Sequence, residues 1–422
     1  MRRWGGRAAI AAIFAIGPAF ALFGVRLSGT PLVCNPDQLP DLSAVDAPQP
    51  RDETRVRFAR VVIDAAVAAN GHKPKAIADI DGDGFADIVT YTLDQGLFWH
   101  RYPAWERRRI HGQGNGEIAQ AADVDNDGDV DILSGGYQAR TRWYENPRNA
   151  GGLSPAADWR EHELHGLELE DIPRSHDTVV ADVDGDGRVD VANEGGIAFQ
   201  EASGGWAVVG NAHFPDRAWH GTAFGDVLGD GHPDLFDLSR RRLVWYENPL
   251  SAGGDPRADI WPRHAIGPAF EAGPDGVEAL SITLADLDGD GRDDVLLANN
   301  KGGGGLSWLQ QPADPRTDPW PRHSIDPTVN WVHQSSILTG DVDGDGAPDA
   351  VVAEQEQSPT HRLLVYYNDR GNGSVWTRQV LSPNGGHNPK LGDIDADGDL
   401  DLLNANHGHC GAANPIELWR NG

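Results

Sequence analysis

Seven times along the chain an acidic loop returns, starting at Asp79, Asp123, Asp182, Asp226, Asp286, Asp341 and Asp393, at intervals of 44 to 60 residues. A repeat of this length constrains the fold more than any local propensity, because each unit must be one supersecondary element that buries its apolar face on its neighbours. A small residue stands before every loop (Ala78, Ala122, Ala181, Gly225, Ala285, Gly340, Gly392), and a short apolar run such as DIVTY, DVLLA or DAVVA follows it. Both flanks read as strands. A third apolar stretch in each unit carries an aromatic residue: Trp99, Trp143, Phe199, Trp245, Trp308, Tyr366 and Trp419. Several of these stretches read WYENP or close to it, ending in a turn. A fourth strand sets an aromatic five residues before an aliphatic, as in Trp105 and Ile110, Trp159 and Leu164, Trp261 and Ile266, Trp320 and Ile325, and Trp376 and Leu381. The third unit keeps Trp206 without that spacing.

Four antiparallel strands at this period predict a propeller blade, and the small residue suits an innermost strand that converges on the axis. The seventh unit stops at IELWRNG, after its third strand; the missing fourth is found near the N-terminus in RFARVVID, where Phe58 precedes Ile63 by the same five residues. The expectation is an all-β, seven-bladed β-propeller over residues 54–422, closed by an N-terminal strand that completes the last blade. Closure removes two open sheet edges. Two separate smaller domains or an open solenoid are the alternatives, and the complementary half-blades weigh against both.

Composition agrees: 52 Gly, 28 Pro, 8% aromatic residues and a single Met describe a turn-rich chain of many short strands. Residues 1–25 pair a basic start, MRRWGGR, with the apolar stretch AAIAAIFAIGPAFALFGV, which reads as an export signal or an uncleaved membrane anchor. Either places the folded part outside the cytoplasm, extracellular or periplasmic. Residues 26–53 read as a flexible polar linker. Cys34 and Cys410 are the two cysteines; a disulfide between them and two free thiols both remain open. A net charge of −29 argues against nucleic acid or an anionic membrane face as partner and favours cations. The partner expected is a carbohydrate or cell-surface ligand, and the chain is expected to act as a monomer.

The loop pattern D-x-D-x-D-G-x-x-D offers carboxylates at positions 1, 3, 5 and 9, with a glycine at position 6 for the sharp turn. That many hard oxygens suit Ca²⁺ better than Mg²⁺ or Zn²⁺. Six loops are complete: Asp79, Asp81, Asp83 and Asp87; Asp123, Asp125, Asp127 and Asp131; Asp182, Asp184, Asp186 and Asp190; Asp286, Asp288, Asp290 and Asp294; Asp341, Asp343, Asp345 and Asp349; Asp393, Asp395, Asp397 and Asp401. The fourth loop, DVLGDGHPD, has Leu228 at position 3 and keeps only Asp226, Asp230 and Asp234, so weak binding or none is expected there. About six calcium ions follow from this reading. Four carboxylates so close together repel one another unless a cation sits among them.

The segments ADIDGDGFADIV, ADVDNDGDVDIL, ADLDGDGRDDVLL and GDIDADGDLDLL resemble the FG-GAP or VCBS repeat family, whose calcium-loop blades also occur in integrin α-subunits. The resemblance spans about residues 57 to 421. It implies a calcium-binding propeller and leaves activity open, because similar blades occur in adhesion proteins, in lectins, and in sugar-processing enzymes such as some polysaccharide lyases and aldos-2-ulose dehydratase. Fold alone does not fix function.

Strand order puts the acidic loops on one face of the ring and the starts of the first strands on the other. On that second face His72, His176, His220, His333 and His387 fall six to eight residues before the first loop aspartate of their units, with Glu117 and Glu278 near the corresponding places in the other two. The loops between second and third strands add Glu194, Asn300, Glu354, Glu356, Asn406, His407 and His409, and Lys75 and Lys390 stand nearby. Such a set suits a sugar acid, a transition metal or proton abstraction beside a carboxylate. In that reading His176, His220, His333 and His387 are candidate catalytic bases or ligands, and Lys75, Lys390 or Arg174 neutralise substrate charge. The competing reading is architectural: a histidine copied with the repeat to cap a strand. Trp99, Trp245, Trp308 and Trp419 recur with the repeat and read as packing residues, whereas Trp219 and Trp331 break it and are candidates for stacking on a sugar. The function expected is an exported calcium-binding module for carbohydrate or a cell surface. The alternative is a lyase or dehydratase with a histidine-lined site at the propeller mouth.

Overall fold

The computed structural model describes residues 50–65, 73–92, 95–112, 118–136, 139–148, 159–164, 178–193, 195–210, 212–214, 222–239, 242–267, 280–299, 305–355, 358–405 and 415–422. These residues form seven sheets, six of four strands and one of five. The innermost strands are Lys73–Ala78, Ile118–Ala122, Thr178–Ala181, Ala223–Gly225, Leu280–Ala285, Val332–Gly340 and Lys390–Gly392. They neighbour one another in that order, and the last lies against the first. The result is a closed seven-bladed propeller.

The small residue ahead of each loop has a steric cause. A Cβ on Gly225 would stand 2.4 Å from Leu284 Cδ1 of the next blade, and one on Gly340 would stand 2.7 Å from Leu400 Cδ1. At these two glycines the neighbouring blade comes too close for a Cβ. In the last blade, Ile416–Arg420 pairs antiparallel with Ala59–Asp64, from Ala59 opposite Arg420 to Asp64 opposite Ile416. The strand at the start of the described chain thus supplies the fourth strand at its end.

Among the described residues the core is divided into seven apolar clusters, one between each pair of consecutive blades. At the closing seam Ile88 of blade 1 packs with Ile394, Leu403, Ala405, Ile416 and Leu418 of blade 7. Trp99, Trp245 and Trp308 are buried between blades, as the packing reading of the repeated aromatics expects. Truncating one such ring to alanine costs about 3–5 kcal/mol.

The recurring WYENP and WPRH segments have a common geometry. Each tryptophan stacks on the histidine opposite it in the fourth strand, Trp143 on His162 at 4.0 Å, Trp245 on His264 at 4.3 Å and Trp308 on His323 at 4.4 Å between ring centroids. The Nε2 atoms of His162 and His264 lie 2.7 and 3.0 Å from the carboxylates of Glu145 and Glu247.

Arg51–Asp52, at the end of the segment read as a flexible linker, adds a fifth strand to blade 6, parallel to Trp376–Ser382. Arg378 Nε donates to Asp52 at 2.6 Å, and Gln379 Nε2 donates to the Val56 carbonyl at 2.8 Å. A two-residue parallel strand has no apolar alternation, so no periodicity announces it.

Candidate metal centres and the opposite face

Each acidic loop is wound by its own carboxylates. In blade 1 Asp79 Oδ1 accepts the N–H of Asp83 at 3.1 Å and Oδ2 that of Gly84 at 3.0 Å; in blade 3 Asp182 does the same for Asp186 and Gly187 at 3.0 and 2.9 Å. The position-6 glycine makes this turn because it sits at positive φ, 90° at Gly84 and 86° at Gly291, a conformation that costs glycine nothing.

The position-9 aspartate does more than the sequence pattern suggests. It is buried in all seven blades and uses both oxygens on backbone N–H groups. Oδ2 holds the second loop residue, as Asp294 holds Leu287 at 3.0 Å, and Oδ1 holds a residue at or just past the end of the third strand, as Asp294 holds Gln311 at 2.8 Å. Blade 4 keeps the same clamp, with Asp234 on Val227 at 3.0 Å and on Asn248 at 2.8 Å. This residue is therefore a structural clamp as well as a candidate ligand. Desolvation is the largest cause that pushes these carboxyls up, to about 7 at Asp87, Asp131, Asp190, Asp234, Asp294 and Asp349 and to about 6 at Asp401.

A stability consequence follows for the protein stripped of divalent ions. Each clamp has a folded-state value above its unfolded one, so its contribution is fully present below the ordinary carboxylate range and is lost as pH rises towards 7. The melting temperature of the calcium-free protein is expected to fall between pH 5 and pH 8. Saturating calcium should flatten that slope, because the ion takes the place of the proton. A melting temperature that rises with pH in the calcium-free protein would contradict the assignment.

The position-3 aspartates differ. Asp81 Oδ1 and Asp395 Oδ1 are buried and have no hydrogen-bond partner, and a buried acceptor of this kind is costly to leave unmet. Three carboxylates of one loop bring ligand atoms within 4.8 Å of one another in six groups among the described residues, including the loops at Asp79, Asp123, Asp182, Asp286 and Asp341. All the donors are oxygens. The set therefore fits a hard divalent cation, and calcium best by number and flexibility.

Arginines partly counter this charge: two, Arg101 and Arg420, end the third strands of blades 1 and 7, and others come from a neighbouring blade or from the N-terminal segment. Arg101 reaches Asp81, and Asp83 at 3.0 Å; Arg257, from the fourth blade, reaches Asp184 at 2.6 Å in the third; Arg55, from the N-terminal segment, reaches Asp343 at 2.6 Å in the sixth; Arg420 pairs with Asp395. In the fourth loop Asp226 still accepts Asp230 N–H at 3.0 Å and Gly231 N–H at 2.8 Å, while Leu228 packs against the apolar cluster between blades 4 and 5. The loop keeps its winding and loses its second ligand.

On the opposite face the described residues concentrate at blades 6 and 7. Four non-glycine residues there adopt positive φ: Trp331 at 50°, Ser335 at 54°, His361 at 47° and Asn388 at 57°. The inner strand of blade 6 bulges between Val332 and Ile337. The rings of His333 and His387, one from each blade, lie 4.0 Å apart between centroids. Trp331, two residues before His333 in the chain, is half-buried. Backbone strain of this kind, about 1–3 kcal/mol per residue, persists where the surroundings enforce it and gathers at ligand sites.

Two mouth residues turn out to be committed inside the protein. Glu354 is buried and pairs with buried Arg362 at 2.7 Å, so it is an internal counter-ion. Lys75 is also buried, its ammonium 6.0 Å from the centre of the Tyr91 ring. Lys390 opens the inner strand of blade 7. His72, His176, His220, Glu117, Glu278, Glu194, Asn300, Glu356, Asn406, His407, His409, Arg174, Trp219 and both cysteines lie outside the described residues, as do residues 1–49.

The family described as FG-GAP-like repeat matches three stretches of the chain, residues 123–193, 286–352 and 341–403. No curated protein matches the sequence. Among solved structures, BBS1N in complex with ARL6DN is similar at 15% identity over 87% of this chain and 98% of that one, with a TM-score of 0.54. The lectin of Agrocybe aegerita, described as recognising non-reducing terminal N-acetylglucosamine, is 18% identical over 78% of this chain and 81% of that one, with a TM-score of 0.49. The biofilm matrix protein Bap1 of V. cholerae is 12% identical over 83% and 76%, with a TM-score of 0.36. At 15% identity the likeness to BBS1N is one of fold alone. Three stretches of the chain thus carry FG-GAP-like repeats, and the described residues fold as a seven-bladed β-propeller.

Proposed function

We propose that this protein is an exported, calcium-stabilised propeller that binds a carbohydrate or a cell-surface partner through the face opposite its calcium loops. Calcium is supported by the buried position-3 oxygens that have no donor, Asp81 Oδ1 and Asp395 Oδ1, inside loops built wholly of hard ligands. The ion would be held by the six complete loops, and its contribution is to neutralise their carboxylates and lock each hairpin. Export is carried by the apolar, basic-headed start of the sequence.

The observation that carries the binding half is the strained wall at blades 6 and 7. Trp331 at φ 50° is a bulky residue in a conformation that disfavours it, and it stands two residues before His333, whose ring meets that of His387. An aromatic ring beside hydrogen-bonding groups suits a sugar, whose apolar face stacks while its hydroxyls bond at the edge. A glycan array read with the calcium-loaded protein tests this. Trp331→Ala should abolish binding of any glycan the native protein retains, with the melting temperature unchanged within about 2 °C. Retained binding by that variant would move the site elsewhere.

The second reading is an enzyme, a polysaccharide lyase or sugar dehydratase. It is favoured by the contact between the His333 and His387 rings, which puts two acid–base groups at one place. Loss of turnover in His387→Ala with unchanged melting would support it, read as new unsaturated-uronate absorbance. Loss of stability would favour the architectural role.

A further inference from the structure

The six seams between blades 1 and 7 in chain order share one link. The Asn or Gln at or just past the end of each third strand reaches back to the second residue of the preceding blade's acidic loop and donates to its carbonyl. Asn146 donates to Ile80 at 2.9 Å, Gln200 to Val124 at 2.5 Å, Asn248 to Val183 at 2.8 Å, Gln311 to Val227 at 2.7 Å, Asn368 to Leu287 at 2.8 Å and Asn421 to Val342 at 2.8 Å. The backbone N–H of each of these residues is held by its own blade's position-9 aspartate, so the donor is fixed by the rigid end of a strand.

The seventh seam is built differently. Blade 1 has Tyr102 at that place, a residue without a side-chain amide, and its ring stacks on Phe85 at 5.1 Å. The Ile394 carbonyl of blade 7 instead accepts the backbone N–H of Ala86 at 3.2 Å. Ala86 is position 8 of the first acidic loop, between Asp83 and Asp87. This link runs from loop to loop, and its donor points correctly only when the first loop is wound. On one side of this seam stands blade 7, the blade in which the first and last described strands pair, Ala59–Asp64 with Ile416–Arg420.

We propose that calcium in the first loop is the latch of the ring: it orients Ala86 on Ile394 and so closes the seam between blades 7 and 1, which opens first when calcium is withdrawn. The proposal rests on the calcium reading above. Backbone hydrogen exchange of the full chain, followed by mass spectrometry, tests it. On chelation the earliest loss of protection should fall on peptides around residues 84–88 and 390–394. Their exchange should speed up about fivefold to tenfold more than at the seam held by Asn368, the equivalent of roughly one hydrogen bond. The double variant Asp79→Asn/Asp83→Asn should show the same pattern with calcium present, whereas Asp286→Asn/Asp290→Asn should not. Equal protection at all seven seams, or earlier loss at another one, would overturn the latch. An exchange pattern and melting curve both indifferent to calcium would instead overturn the calcium reading itself.

Discussion

Stripping calcium from the purified protein is expected to lower its melting temperature by about 10 °C, and returning millimolar calcium should restore it. The size follows from mass action. Extracellular sites of this kind bind at roughly 10⁻⁴ to 10⁻³ M, so about 2 mM calcium stabilises each loop by roughly 0.6–1.8 kcal/mol. Six loops together contribute about 4–11 kcal/mol, and in a chain of this size one kcal/mol moves the midpoint by a degree or two. The carboxylates that must share each loop add a second cause, since their mutual repulsion rises once the ion has gone. Differential scanning calorimetry in excess chelator and in calcium reads the shift directly. Magnesium at the same concentration should recover only part of it.

Replacing a clamp aspartate should be costlier than replacing a ligand, and the fourth blade separates the two roles. Asp234→Ala leaves the buried N–H groups of Val227 and Asn248 without their acceptor. Each such orphan costs about 1–3 kcal/mol, so a loss of about 2–6 kcal/mol is expected in calcium and in chelator alike, because this loop lacks its second ligand. Asp288→Asn should behave in the opposite way. Its loss should appear in calcium and shrink to within about 0.5 kcal/mol in chelator, where there is no ion to lose and a like charge has been removed. Urea unfolding of both variants under the two conditions decides it. A calcium-dependent penalty at Asp234 would mean that the fourth loop binds after all.

The repeat made the propeller legible because its markers are local. Position 6 must be glycine for the turn, the residue before the loop must be small because Leu284 or Leu400 stands against it, and Trp245 recurs because every interface between blades needs a ring. The closing strand could be read from the Phe58 and Ile63 spacing for the same reason. What could not be read depends on contacts distant in sequence. Arg55 and Arg257 meet loops of other blades, Arg55 lying 290 residues before Asp345. Glu354 looked like a mouth ligand because nothing in the chain announces Arg362 as its partner inside the protein. The dual duty of the position-9 aspartate was hidden because a ligand and a clamp need the same side chain. The final asparagine of WYENP marked a turn in sequence, and only the neighbouring blade reveals what its side chain holds.

Equilibrium dialysis of the purified chain against calcium tests the central claim most directly. About six ions per chain at saturation are expected, falling to about five in Asp81→Asn, since that position supplies a buried oxygen with no other donor. A chain that retains no calcium at millimolar concentration would contradict the account.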